Sequence, residues 1–296
     1  MTAAERGVLL LCTQMISTER AMTMAQFRNL SLRAQALGRP DGDLNAELTA
    51  RDLVRLGYDE PEAAHIAALL LRERELERYL AAAEREQIMP LTRISVAYPT
   101  QLAKKLGTSC PPVLYCKGDL LLLQADAIAV VGSRKLNDTG RRFAARAGAL
   151  CAREGYVLVT GGAEGADQTA LEACLENGGS VIVFTAGRLC DCKTQPRVLY
   201  VSESGWTLPF STPRAMSRNR LIHAMGEKTL IAQTGFGAGG TWNGTLDNLR
   251  HAWSPVFVHD DGSEGARALI ARGAESVGME SLTTFTALTP RQQCFL

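Results

Sequence analysis

Three times along this chain a short run of aliphatic residues ends in a glycine turn that leads into a helical pattern. The turns are Gly132-Ser133-Arg134, Thr160-Gly161-Gly162-Ala163-Glu164-Gly165 and Gly235-Phe236-Gly237-Ala238-Gly239-Gly240-Thr241. Strand alternating with helix constrains a fold strongly, because parallel strands need crossover helices and those helices cover both sheet faces. The same arrangement carries a chemical implication. Backbone N–H groups at such turns, with the positive end of the following helix, hold anions without any catalytic side chain. A single turn of this kind says little, since glycine there can be solving only a backbone problem.

The alternation begins after Pro90. Strands are expected at 127–131, 156–159, 180–185, 198–201, 229–232 and 255–258. Helices are expected at 139–154, where Phe143, Ala147, Leu150 and Cys151 recur at helical spacing, and at 166–177, 218–225, 241–252 and 264–272. The expected fold class is α/β, a mostly parallel, doubly wound sheet whose ligands bind beyond the carboxyl ends of the strands. Residues 1–88 read as a small all-helical domain. Apolar periodicity runs from Val8 to Met15, a second helix spans 23–37, and a break follows at Gly38-Arg39-Pro40-Asp41-Gly42. A short helix ends at Gly57, and one longer helix is expected from Pro61 to Glu86, with Pro61 suited to a first turn.

Charge and composition exclude several classes. The 296 residues carry a formal net charge of +1, so any nucleic-acid site must be a local patch. Residues 1–88 hold 11 Arg against 14 Asp and Glu, a net of −3. The basic strip is expected further on, at Arg188, Lys193, Arg197, Arg214, Arg218 and Arg220, opposed only by Asp191 and Glu203. No apolar run approaches membrane length and the amino terminus lacks a signal-peptide pattern, so a cytoplasmic protein without membrane contact is expected. The eight cysteines are scattered apart from Cys190-Asp191-Cys192, and no metal site is expected. The four histidines lie far apart, and neither a Gly-x-Ser-x-Gly elbow nor a Walker-type lysine motif is present. No cofactor and no catalytic residue is expected.

Several segments together resemble the DNA-processing protein A (DprA/Smf) family. They are Tyr98-Pro99-Thr100-Gln101-Leu102, the run Pro111 to Gly118, Ala129-Val130-Val131-Gly132-Ser133-Arg134, Val159 to Asp167, Ser217-Arg218-Asn219-Arg220-Leu221-Ile222 and the third glycine turn. They keep the family order over roughly residues 90–275. The resemblance implies a Rossmann-like domain over 89–275, preceded by a helical (SAM-like) domain over 1–88. It also implies single-stranded DNA binding, a homodimer, and delivery of the strand to the RecA recombinase during natural transformation. Residues 276–296 are expected to be a C-terminal tail, too short for the winged helix that many members append.

Residue chemistry agrees with a polyanionic ligand, since amides and guanidinium groups hold a phosphodiester backbone independently of sequence. Arg134 is expected on a phosphate, with Ser133 and the amides after Gly132 adding donors. Gly161, Gly162, Gly239, Gly240 and Thr241 would complete the cradle, and Arg218 and Asn219 would open a helix beside it. Arg188 is a further phosphate candidate. Each has a plainer alternative: a surface carboxylate partner for Arg134, helix capping for Arg218 and Asn219, a turn or cap role for Asp167. Trp206, Phe210, Phe236 and Trp242 are stacking candidates, of which Phe236 and Trp242 lie in the third turn.

The chain also departs from the family pattern. Leu171 stands where a histidine is usual, Ala215-Met216 replaces a phenylalanine-proline pair, and the segment from Thr185 to Val198 is shorter. Two other functions remain open. One is a nucleotide-binding sensor. The other is a nucleoside monophosphate phosphoribohydrolase like those of the Lonely Guy family, to whose glycine motif residues 239–248 are similar; that chemistry needs a carboxylate beside the glycosidic bond, and here the candidate positions are Asp247 and neutral Asn248.

Overall fold

The computed structural model describes residues 1–15, 19–35 and 48–290. Two compact units are present, both discontinuous in sequence. The first comprises Met1–Tyr98, Leu106–Cys116 and Glu203–Trp206; the second comprises Pro99–Lys105, Lys117–Ser202 and the chain from Thr207 onward.

The first unit contains α1 (Ala3–Cys12), α2 (Met24–Gln35), α3 (Ala50–Arg55), α4 (Glu60–Leu70) and α5 (Glu73–Arg85). Caps fix where they start. Thr2 with Glu5 and Thr49 with Asp52 form reciprocal capping boxes, and Asp59 accepts from the Glu62 amide ahead of Pro61. Leu11, Leu30, Leu53, Ile66 and Leu69 pack into one buried cluster. An antiparallel pair, β1 (Met89–Thr92) and β2 (Val113–Lys117), extends beyond the helices.

One long helix from Pro61 to Glu86 was expected, and the chain breaks it at Leu71-Arg72. The Arg72 side chain is buried, and its guanidinium donates to the carbonyls of Leu69, Leu10 and Thr13. It satisfies carbonyls that the end of α1 leaves without helical partners, and the turn that brings it inward interrupts the helix. The break expected at 38–42 and Cys294 lie outside the described residues.

The second unit contains α6 (Thr100–Leu106), β3 (Ala127–Val131), α7 (Asp138–Glu154), β4 (Val157–Thr160), α8 (Ala166–Glu176), β5 (Val181–Phe184), β6 (Val198–Ser202), α9 (Thr212–Met225), β7 (Lys228–Ile231), α10 (Gly240–His251), β8 (Val256–His259), α11 (Glu264–Ile270) and β9 (Glu275–Val277). Its strands run in the order β6-β5-β4-β3-β7-β8-β9 and every described pairing among them is parallel. Strands buried on both faces account for the continuous Val, Ile and Leu runs. Helices α7 and α8 pack together, as do α9 and α10, giving the doubly wound α/β architecture.

Two boundaries differ from expectation. Helix α9 starts at Thr212, six residues before Arg218, because Ser211 accepts from the Arg214 amide and Pro213 occupies the first turn. Residues 276–290 are no loose tail, since β9 joins the sheet and Leu282, Phe285 and Leu288 enter the main core.

Candidate functional site

The chain leaves β3 toward β4, β5 and β6, then returns to place β7 on the other side of β3. At this reversal the connections run to opposite faces of the sheet, so the carboxyl ends of β3 and β7 splay and leave a crevice. A cleft of about 460 Å³ lies there, a size that suits a ligand of nucleotide dimensions. The first glycine turn, at Gly132, Ser133 and Arg134, and the third, at Gly235 and Ala238 to Thr241, line it; α9 supplies Ala215, Met216, Arg218, Asn219 and His223.

The third turn keeps its anion-binding groups open. Gly239 has a φ of +100°, a conformation that favours glycine, and it caps α10 without a side-chain hydrogen bond. No acceptor within the described residues caps the first amides of α10, which point where the helix dipole is positive. The Thr241 hydroxyl donates to the Gly132 carbonyl (2.8 Å) and ties the first and third turns together. Asn219 Nδ2 donates to the Gly240 carbonyl (3.1 Å) and ties α9 to the start of α10. Asn219 is therefore a mid-helix brace, neither a cap nor the opening of a helix.

The second turn is closed by the protein itself. The amides of Gly161 and Ala163 both donate to Asp167 Oδ2, at 3.1 and 3.3 Å. Burial pushes the Asp167 carboxyl up, while the Arg218 charge and the two amides pull it back toward the charged form. Arg218 is buried in mid-α9, donates from Nη1 to the Phe184 carbonyl (2.9 Å), and lies against Gly161 so closely that a Cβ there would overlap the guanidinium. The Gly161 amide is thus spent on an internal carboxylate. Gly162 is exposed but lies outside the residues lining the cleft. The buried Arg218 charge acts on the same carboxylate, and Asp167, in the first turn of α8, closes the preceding turn through its amides.

The expected basic strip disperses. Arg188 pairs with Asp191 (3.6 Å) and stands outside the cleft lining. Arg197 donates to the Gly178 carbonyl, Arg214 to the carbonyls of Leu208 and Pro209, and Arg220 to Ser217. Guanidinium groups hold backbone here more than they present charge. Arg134 differs: it is exposed, lines the cleft, and meets no carboxylate among the described residues. Ser133 contributes less than expected, because its amide donates to the Gln233 carbonyl (2.8 Å) and its hydroxyl accepts from the Lys135 amide (3.3 Å).

The aromatic candidates separate by exposure. Trp242 is 4% exposed, packs edge-on against Phe236, and lies under the Arg272 guanidinium, so no base can reach its face. Trp206 is buried against Tyr79. Phe236 is 51% exposed and Phe210 54%, and Phe210 lines the cleft directly. Its loop is pinned by the two Arg214 hydrogen bonds.

His223 was not singled out as a site residue, although its spacing of four from Asn219 puts both on one face of α9. Its Nδ1 meets Asn248 Nδ2 (3.2 Å) and the Thr229 hydroxyl (3.3 Å), and burial holds its pKa down to about 4. Asn248 also donates to the Ser254 hydroxyl and accepts from the Ser254 amide. This network orients a neutral imidazole at the cleft wall. Asp247 is exposed, pairs with Arg250 (3.5 Å), and is not among the lining residues. Among the other departures, Leu171 is a core residue, whereas Ala215 and Met216 give the cleft an apolar wall. No group of three or more metal-ligating side chains occurs among the described residues, and no described helix is long and apolar enough to cross a membrane.

A doubly wound sheet with glycine turns and an open helix N-terminus at its switch point defines a Rossmann-like protein with an anion-accepting cleft. A model of the DNA recombination-mediator protein A family matches residues 90–287, and the chain belongs to that family. Protein Smf of Escherichia coli K12 is 27% identical over 262 residues, covering 77% of this chain and 69% of that one. The structure of DNA processing protein A from Streptococcus pneumoniae superposes with a TM-score of 0.69 at 23% identity, over 94% of this chain and 95% of that one. DNA processing protein A from Helicobacter pylori, whose structure concerns its single-stranded DNA binding mode, gives a TM-score of 0.54 at 24% identity, over 66% and 92% of the two chains.

Proposed function

We propose that this protein takes part in DNA processing by holding single-stranded DNA in the cleft between the first and third glycine turns, without cleaving it. The observation that carries the reading is Arg134: an exposed guanidinium without a carboxylate partner among the described residues, set beside an open helix N-terminus. Fixed positive charge next to unspent amides suits a phosphate, and Phe210 at the same cleft offers a face on which a base can stack. Binding through phosphates and unspecific stacking does not depend on sequence, which fits a protein that receives a strand and passes it on. Family membership supports the further steps, namely that it works as a cytoplasmic homodimer and delivers the strand to RecA during transformation.

A non-enzymatic role draws support from the carboxylates. Asp167 is locked into the second turn and Asp247 pairs with Arg250, so neither stands free beside a sugar in the cleft. The cleft volume also fits a single nucleotide, and one experiment separates the two ligands. Fluorescent oligodeoxynucleotides of increasing length are titrated at several salt concentrations, with mononucleotide and duplex controls. Affinity should rise with length and fall with salt, and Arg134→Ala should weaken it about tenfold or more. Saturation by one mononucleotide, with no gain from longer strands, would leave a nucleotide sensor; release of free base from nucleoside monophosphates would make the protein a hydrolase.

A further inference from the structure

A second cleft, of about 550 Å³, opens at the amino-terminal half of α7. Thr139, Arg142 and Arg146 stand at spacings of three and four, on one face of the helix, and His259 from the end of β8 and residues 279–280 complete the lining. The floor is built rather than loose. His259 stacks on Phe143 with centroids 4.5 Å apart and its Nδ1 lies 3.2 Å from the Ala232 carbonyl. The Leu282 carbonyl accepts from Arg146 Nε (2.7 Å), which steers that guanidinium and leaves its two Nη groups without a partner among the described residues. Arg142 is exposed and meets no carboxylate within ion-pairing distance among them; Glu280 stands at the rim.

The two clefts flank the same stretch of backbone. Ala232 receives His259 on one side, and its neighbour Gln233 accepts from the Ser133 amide and, through its side chain, from the Asn137 amide. Asn137 caps α7, so the chain from Arg134 to Arg146 leads directly from the first cleft along the second. The helix rises about 10 Å between Thr139 and Arg146, a length over which an extended strand presents more than one phosphate.

We propose that Arg142 and Arg146 form a second phosphate-binding cleft, with Thr139 and His259 shaping its wall. Its phosphate comes either from a strand continuing out of the glycine-turn cleft or from a free nucleotide, and only the first source rests on the single-strand reading above. Two guanidinium groups one turn apart grip the oxyanion, the Thr139 hydroxyl, whose proton goes to Asn137 Oδ1 (2.9 Å), lines the wall beside them, and the Glu280 carboxylate opposes the anion.

The test titrates the full chain and its Arg142→Ala and Glu280→Gln variants with oligothymidylates of about four and about twenty nucleotides, and with thymidine monophosphate and inorganic phosphate. Arg142→Ala should weaken the long oligomer about fivefold and flatten its salt dependence by about one phosphate contact, while leaving the short one unchanged. Glu280→Gln should tighten the long oligomer. If Arg142→Ala matches the parent with every ligand, the second cleft is overturned and the single-strand reading stands. If no oligomer binds but monophosphate or phosphate binding depends on Arg142, the cleft holds a free nucleotide and the single-strand reading fails. Binding of neither kind overturns both.

Discussion

The second and third glycine turns look alike in sequence and do opposite things. At the second, two amides close on the Asp167 carboxylate, whose charge the buried Arg218 favours; at the third, the N-terminus of α10 is left without any capping side chain. A turn that can hold an anion will hold the nearest one, and the protein supplies its own where rigidity is needed. Openness to a ligand therefore depends on whether a carboxylate lies within reach downstream. Gly165 and Asp167 put one there in the second turn, whereas the third is followed by Thr241, Trp242 and Asn243.

This contrast can be broken most sharply with alanine. Gly161→Ala should cost about 3 kcal/mol or more in chemical denaturation, because the new methyl displaces Arg218 and leaves Asp167 buried without its counter-charge. Gly240→Ala should change stability by no more than about 0.5 kcal/mol, since its Cβ meets nothing closer than 3.6 Å, yet should lower single-strand affinity severalfold. Equal stability losses in the two variants would remove the distinction.

The open side of the site rests on the neutral His223. Its folded pKa is about 4 against an ordinary 6.5, so the unfolded chain takes up the proton first as pH falls. Its contribution is complete above pH 6.5 and is lost as pH drops from there toward 4. Between pH 7.5 and pH 5 this should remove about 2 kcal/mol of stability, a loss that His223→Gln should largely abolish. Asp167, with its pKa raised, responds in the opposite sense, gaining as the solution acidifies. The difference between parent and variant isolates the histidine, and parallel pH profiles would contradict its burial as the cause.

The aromatic residues allow the finest comparison. Phe210→Ala should weaken oligonucleotide binding by about 1.5 kcal/mol with the melting temperature unchanged. Trp242→Ala should do the reverse first, lowering stability as a core truncation does. If Phe210→Ala binds as the parent does, the base is held elsewhere.

The sheet was legible because strands covered on both faces leave uninterrupted aliphatic runs, and the glycines mark where each ends. Helix α9 was misplaced for a local reason. Ser211-Thr212-Pro213 is a start signal, but Arg218-Asn219 draws the eye to the middle of the same helix. The break at Arg72 was invisible, since apolar spacing continues across it and only the tertiary position of three carbonyls explains it. In the cleft, Arg134 and the Gly239–Thr241 turn could be found from position alone. The fate of the other arginines could not, because a sequence shows where a long side chain begins and not whether it ends on water, a carboxylate or the backbone.

The stretch past residue 275 sets a practical boundary on how this protein can be dissected. Val277, Leu282, Phe285 and Leu288 seal the apolar underside between α7 and the sheet, and Arg146 and Lys228 fasten the backbone between them through the carbonyls of Leu282 and Phe285. A shortened version ending where the last obvious strand–helix repeat stops would have its interior unroofed, and would be recovered as sticky, aggregating material instead of a smaller working domain.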